Sequence, residues 1–116
     1  MDYRVEKDSI GKKNVPEDVY YGVQSLRAAE NFHITGLNMH PEIINSLDYI
    51  KKAAAITNCE IGLLDKKVAQ AIVQACDEIL AGELHRDFIV DPIQGGAGTS
   101  LNMNANEVIA NRAIEL

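Results

Sequence analysis

The sequence predicts a mainly helical domain with at most short strands, and three observations predict it. Ala, Leu, Ile, Glu and Lys dominate its periodic segments, while β-branched and aromatic runs are scarce and Trp is absent. Two long apolar repeats at helical spacing are each bounded by helix punctuation. A third helix opens directly behind a glycine cluster, Gly95-Gly96-Ala97-Gly98.

In chain order, residues 1–16 are polar, contain Gly11 and end at Pro16, which predicts an extended arm with a turn. A helix is expected over residues 18–32, with Tyr20, Val23, Leu26 and Phe32 near one stripe. Gly22 weakens it by about 1 kcal/mol relative to Ala. Residues 35–40 form a connector around Gly36. Pro41 suits a first helical turn, and Ile43, Leu47, Ile50, Ala54 and Thr57 recur at helical spacing towards Glu60 as the expected core face. Gly62 fits a left-handed terminus.

Asp65 reads as the N-cap of a helix over residues 66–81 that buries Val68, Ile72, Ala75, Cys76 and Ile79, with Gly82 closing it. The short connection between these helices predicts an antiparallel hairpin. Phe88-Ile89-Val90 is either a short strand or a buried extended segment, because Pro92 opposes a long helix. The last helix is expected from Ser100 to Leu116, burying Leu101, Ala105, Val108, Ile109 and Leu116. It lacks a Gly or Pro stop, and Glu115 sets a negative charge against the negative end of the helix dipole. These features predict that the 116 residues, one domain at most, are a piece of a longer chain.

Composition narrows the function. The formal net charge is -6, and lysines and arginines cluster no further than Lys12-Lys13, Lys51-Lys52 and Lys66-Lys67. That density is too low for sequence-independent nucleic-acid binding. No signal segment and no apolar run of ~18 residues is present, so a cytoplasmic protein without membrane contact is expected. Cys59 and Cys76 lack zinc-ligand spacing and read as buried structural thiols. No metal site is expected, and His33, His40 and His85 read as surface or connector residues.

The candidate site is Gly98-Thr99-Ser100. Glycines allow a tight turn and close backbone approach, and a helix start presents unpaired N–H groups with a partial positive charge. A carboxylate or phosphate suits that seat. Nucleotide motifs fit badly: no Lys precedes Thr99, and Leu101 stands where a dinucleotide fingerprint needs glycine. The bland alternative makes Thr99 or Ser100 an N-cap only. Asn102, Asn104, Asn106 and Asn111 tip the balance, since Asn inside a helix implies side-chain hydrogen bonding. Asn102, Asn104 and Asn106 are expected to support the site structurally. A non-enzymatic helical interaction module is the alternative from a different class.

The run Gly95-Gly96-Ala97-Gly98-Thr99-Ser100-Leu101-Asn102-Met103-Asn104-Ala105-Asn106-Glu107 resembles the first signature region of the aspartase/fumarase superfamily. Arg4-Val5-Glu6-Lys7-Asp8, Tyr20-Tyr21-Gly22-Val23-Gln24, Arg27-Ala28-Ala29-Glu30-Asn31-Phe32 and Lys51-Lys52-Ala53-Ala54-Ala55 agree in order. Gly95-Gly96-Ala97-Gly98-Thr99-Ser100 and Tyr20-Tyr21-Gly22-Val23 are closer to the aspartate ammonia-lyase branch than to class II fumarases.

The resemblance implies the superfamily's N-terminal helical domain and a parent enzyme that converts L-aspartate reversibly to fumarate and ammonia without a cofactor. It implies that Thr99 hydrogen-bonds the substrate carboxylate, with Ser100 and the Gly98 backbone in support. It also implies a homotetramer whose sites draw on three subunits. The family's serine base and Thr-His pair match nothing in this chain, so no catalytic residue is assigned and the isolated chain is expected to be inactive.

Overall fold

The computed structural model describes residues 1–116. Residues 3–7 (β1) and 12–16 (β2) pair antiparallel, with Tyr3 opposite Pro16 and Lys7 opposite Lys12. The extended arm is therefore a β-hairpin. Asp8 makes the turn: its Oδ1 accepts from the Ile10 and Gly11 N–H groups, and Gly11 takes a positive φ of 147°.

Helix α1 spans Val23–Asn31, starting five residues later than its periodicity suggests. Arg4 explains the delay. Its guanidinium donates to the carbonyls of Pro16, Glu17, Val19 and Tyr21, so residues 16–21 are held in a turn wrapped around it and cannot be helical. Glu6 Oε1 then accepts the Val23 N–H at 3.0 Å and caps the delayed helix.

Helices α2 (Pro41–Glu60) and α3 (Lys66–Leu80) form the expected antiparallel hairpin. His40 is no passive connector, because its Nδ1 accepts from the Glu42 N–H and caps α2. Asp65 caps α3 through Lys67 and Val68, and Gly62 and Gly82 are left-handed as expected. Helix α4 (Thr99–Glu115) packs on α3, α1 and α2. Ala75, Cys76, Ile79, Phe88, Val90, Leu101, Ala105, Val108 and Ile109 are central to the core.

Several core expectations are corrected. On α2 the buried residues are Ile44, Asp48 and Ala55, while Ile43, Ile50, Ala54 and Thr57 face outward. Asp48 is carried inward on that face: it is 1% exposed, set against Cys76 of α3. Val68 and Leu116 are exposed, and Cys59 is only half-buried. Phe88–Val90 is the buried extended segment rather than a strand. Glu115, unfavourable for the dipole, is held by Arg112 Nη1 and the Tyr20 hydroxyl. No helix is long and apolar enough to cross a membrane.

Candidate functional site

The site is built on three side chains that fix the approach to α4. Asn104 is fully buried; its Oδ1 accepts from Ile89 N (2.9 Å) and Val90 N (3.4 Å), and its Nδ2 donates to Asp87 O (2.9 Å). Those bonds satisfy the extended segment, which has no strand partner. Asp91 accepts from the N–H groups of Ile34, Thr35, Gly36 and Ile93 and from the Thr35 hydroxyl. Burial raises its carboxyl, but these donors outweigh that and hold it at about 2. Gln94 closes the loop: its Nε2 donates to Asp91 O, and its Oε1 accepts the Leu101 N–H at 2.9 Å.

Between Gln94 and α4 the chain turns. The Gly98 N–H reaches Gly95 O at 3.0 Å, and Gly98 adopts φ 70° and ψ 19°, where a side chain would be strained. Gly98 is therefore the N-cap, and neither Thr99 nor Ser100 caps the helix with its side chain. A β-carbon at Gly95 or Gly96 would meet nothing within 4 Å. Packing inside this chain demands neither glycine.

What remains at the start of α4 is a set of unused donors. Of its first amides, Leu101 N–H is taken by Gln94 and Asn102 N–H by Gly98 O. The N–H groups of Thr99 and Ser100 have no partner in the chain, and neither hydroxyl makes an internal hydrogen bond. Thr99 is exposed and Ser100 half-buried, so this set opens outward. Two N–H groups and two hydroxyls at a positive helix end suit a carboxylate. The larger cavities lie elsewhere: one of about 630 Å³ is lined by Val68, Ile72, Ala113 and Leu116, and one of about 510 Å³ by Ile56, Cys59, Gln70 and Asp77.

The three motif asparagines separate in role. Asn104 is consumed by the fold. Asn102 Oδ1 accepts from Lys51 Nζ at 2.7 Å. Asn106 reaches only the Met103 sulfur, at 3.8 Å. His33 is exposed, and His85 Nε2 lies 3.2 Å from Asn45 Oδ1 and 3.0 Å from Ile79 O. No cluster of three His, Cys, Asp or Glu side chains is placed to hold a metal. Sequence reasoning missed Asp91, Gln94 and Lys51, whose partners lie on other elements. The only local hint was a polar Gln immediately before the glycines.

The sequence model of a lyase family matches residues 11–116. The chain belongs to the aspartase/fumarase superfamily of lyases. It is 64% identical over 115 residues to an aspartate ammonia-lyase of a Bacillus species, covering 99% of this chain and 25% of that protein. It is 54% identical to a class II fumarate hydratase of Halobacterium salinarum, covering 99% of this chain and 24% of that protein. Its fold matches the crystal structure of a fumarate lyase:delta crystallin from Brucella melitensis with a TM-score of 0.96 and 49% identity, over 98% of this chain and 27% of that one. The chain thus spans about a quarter of the length of the curated relatives it matches.

Proposed function

We propose that this region is the substrate-carboxylate-binding part of an aspartate ammonia-lyase, which interconverts L-aspartate with fumarate and ammonia. The observation that carries the reading is the unpartnered donor set at Thr99 and Ser100, held open by left-handed Gly98. Proton abstraction beside a carboxylate drives negative charge onto its oxygens, and preorganised donors are worth most where such charge develops. Thr99 supplies a hydroxyl and an N–H, Ser100 a second pair, and the α4 dipole adds its positive end. The base comes from elsewhere in the parent enzyme, in a homo-oligomer whose other subunits complete the site. The isolated chain releases no ammonia from L-aspartate, because proximity without a base leaves the barrier high.

Thr99→Ala in the full-length enzyme tests this. About a 10²–10³-fold fall in kcat/KM is expected, as for loss of one oxyanion-stabilising donor, with thermal stability near normal. A purely structural Thr99 predicts the opposite: stability falls and turnover survives. Class II fumarase is the second reading, favoured by the 54% identity to the Halobacterium salinarum enzyme. Assay of the parent with L-aspartate and with L-malate separates the two.

A further inference from the structure

Lys51 is a partly buried lysine on α2 that makes no ion pair with any carboxylate. Its one polar contact is Nζ to Asn102 Oδ1 at 2.7 Å. Asn102 lies three residues after Thr99, one helical turn along, so the ammonium sits beside the opening turn of α4.

An ammonium is a donor only, so it fixes which end of the Asn102 amide faces α2. Oδ1 turns to Lys51, and Nδ2 with its two protons forms the other arm of the planar amide, which finds no partner in the chain. The contrast with Asn104, whose oxygen and nitrogen are both spent on backbone, is the informative one. Thr99, Asn102 and Asn106 fall at i, i+3 and i+7, along one stripe of α4.

We propose that Lys51 is a positioning residue for substrate binding. By clamping Asn102 Oδ1 it commits the Asn102 Nδ2 group to donate, alongside Thr99 and Ser100, to a carboxylate of the dicarboxylate substrate. This rests on the reading of Thr99 as a carboxylate donor. Without the clamp the amide turns freely, and half of its orientations present an oxygen lone pair to an anion.

The test uses the full-length enzyme and succinate, a dicarboxylate that cannot react, as the probe. Asn102→Asp keeps a carboxylate partner for Lys51 but replaces the donor with an anion. Its succinate affinity falls at least about tenfold, the loss expected for a hydrogen bond to a charged group, while melting temperature holds. Lys51→Met weakens succinate about tenfold for the same reason. In a double-mutant cycle, Lys51→Met adds less than about twofold on an Asn102→Ala background, because Lys51 acts through Asn102. Succinate affinity unchanged in Asn102→Asp overturns the proposal, and so does Lys51→Met that only lowers the melting temperature. Additive effects in the cycle also overturn it. If Lys51→Met fails to fold, Asn102→Asp decides alone. Thr99→Ala separates the two readings: if it leaves succinate binding intact, the site assignment itself fails. If it alone abolishes binding, only the role of Lys51 and Asn102 falls.

Discussion

Glu107 occupies the space that a β-carbon on Gly22 would need: a β-carbon built there falls on the Glu107 carboxylate and 2.8 Å from Glu6 Oε1. The backbone at Gly22 is extended, with φ -115°, so any residue could adopt it and the glycine is required by space alone. Both carboxylates are engaged where they stand. Glu107 Oε1 accepts from Ser25 N and Ser25 Oγ, and Glu6 Oε1 accepts from Val23 N. The substitution Gly22→Ala therefore breaks charged hydrogen bonds at the start of α1, at a loss of about 2–4 kcal/mol. Urea denaturation measures it, and a change below 1 kcal/mol would mean that the carboxylates relocate freely.

Asn104 joins α4 to the segment before the glycine turn. The change Asn104→Ala orphans Asp87 O, Ile89 N and Val90 N, all in a buried setting, and lowers stability by about 3–5 kcal/mol. Asn104→Leu does no better, since matching the shape leaves the same backbone groups unpaired. Either variant that unfolds at the native denaturant midpoint contradicts this.

Asp48 gives the stability a pH dependence. Burial pushes its carboxyl up to about 6, only partly offset by the adjoining Cys76 thiol, and neither oxygen has a hydrogen-bond partner. A pKa raised on folding means the native state holds the proton more tightly than the unfolded chain does. Stability from this group is therefore complete below the unfolded value of 3.8 and is lost as pH rises through about 6. The replacement Asp48→Asn raises the melting temperature at pH 8 and gives no advantage at pH 3.5; equal shifts at both pH values would show that charge is not the cause.

Asp91 works in the other direction. Its carboxyl is held at about 2, so its contribution is present above 3.8 and is lost as pH falls through about 2. With Asp91→Asn, the amides of Thr35 and Gly36 lose hydrogen-exchange protection at pH 6. The gap from the wild type closes towards pH 2, where the native carboxyl is itself protonated.

Local chemistry made much of this fold legible. Pro41, Gly62 and Gly82 mark helix ends by backbone preference and Asp65 by its side-chain cap, and each does so in the structure, whereas the N-cap of α4 is Gly98 and not Thr99 or Ser100. Choosing the buried face of α2 failed for a physical reason: two rows run along that helix at the same period. The more apolar row faces outward at Ile43, Ile50, Ala54 and Thr57, with Leu47 alone of it packed on the core, because Ile44, Asp48 and Ala55 take the buried face. Thr99 and Ser100 stand out in the sequence as a candidate donor pair because they are consecutive and follow the glycines. The contacts around them do not, since Gln94 with Leu101 and Lys51 with Asn102 join residues seven and fifty-one positions apart.

Arg4 carries one more consequence. A single guanidinium near the chain's beginning gathers four carbonyls from residues 16–21. The opening strand is accordingly a clasp and no loose tail: trimming past residue 4 would spring the lead-in to α1, whereas a fusion tag attached ahead of Met1 leaves the fastening shut.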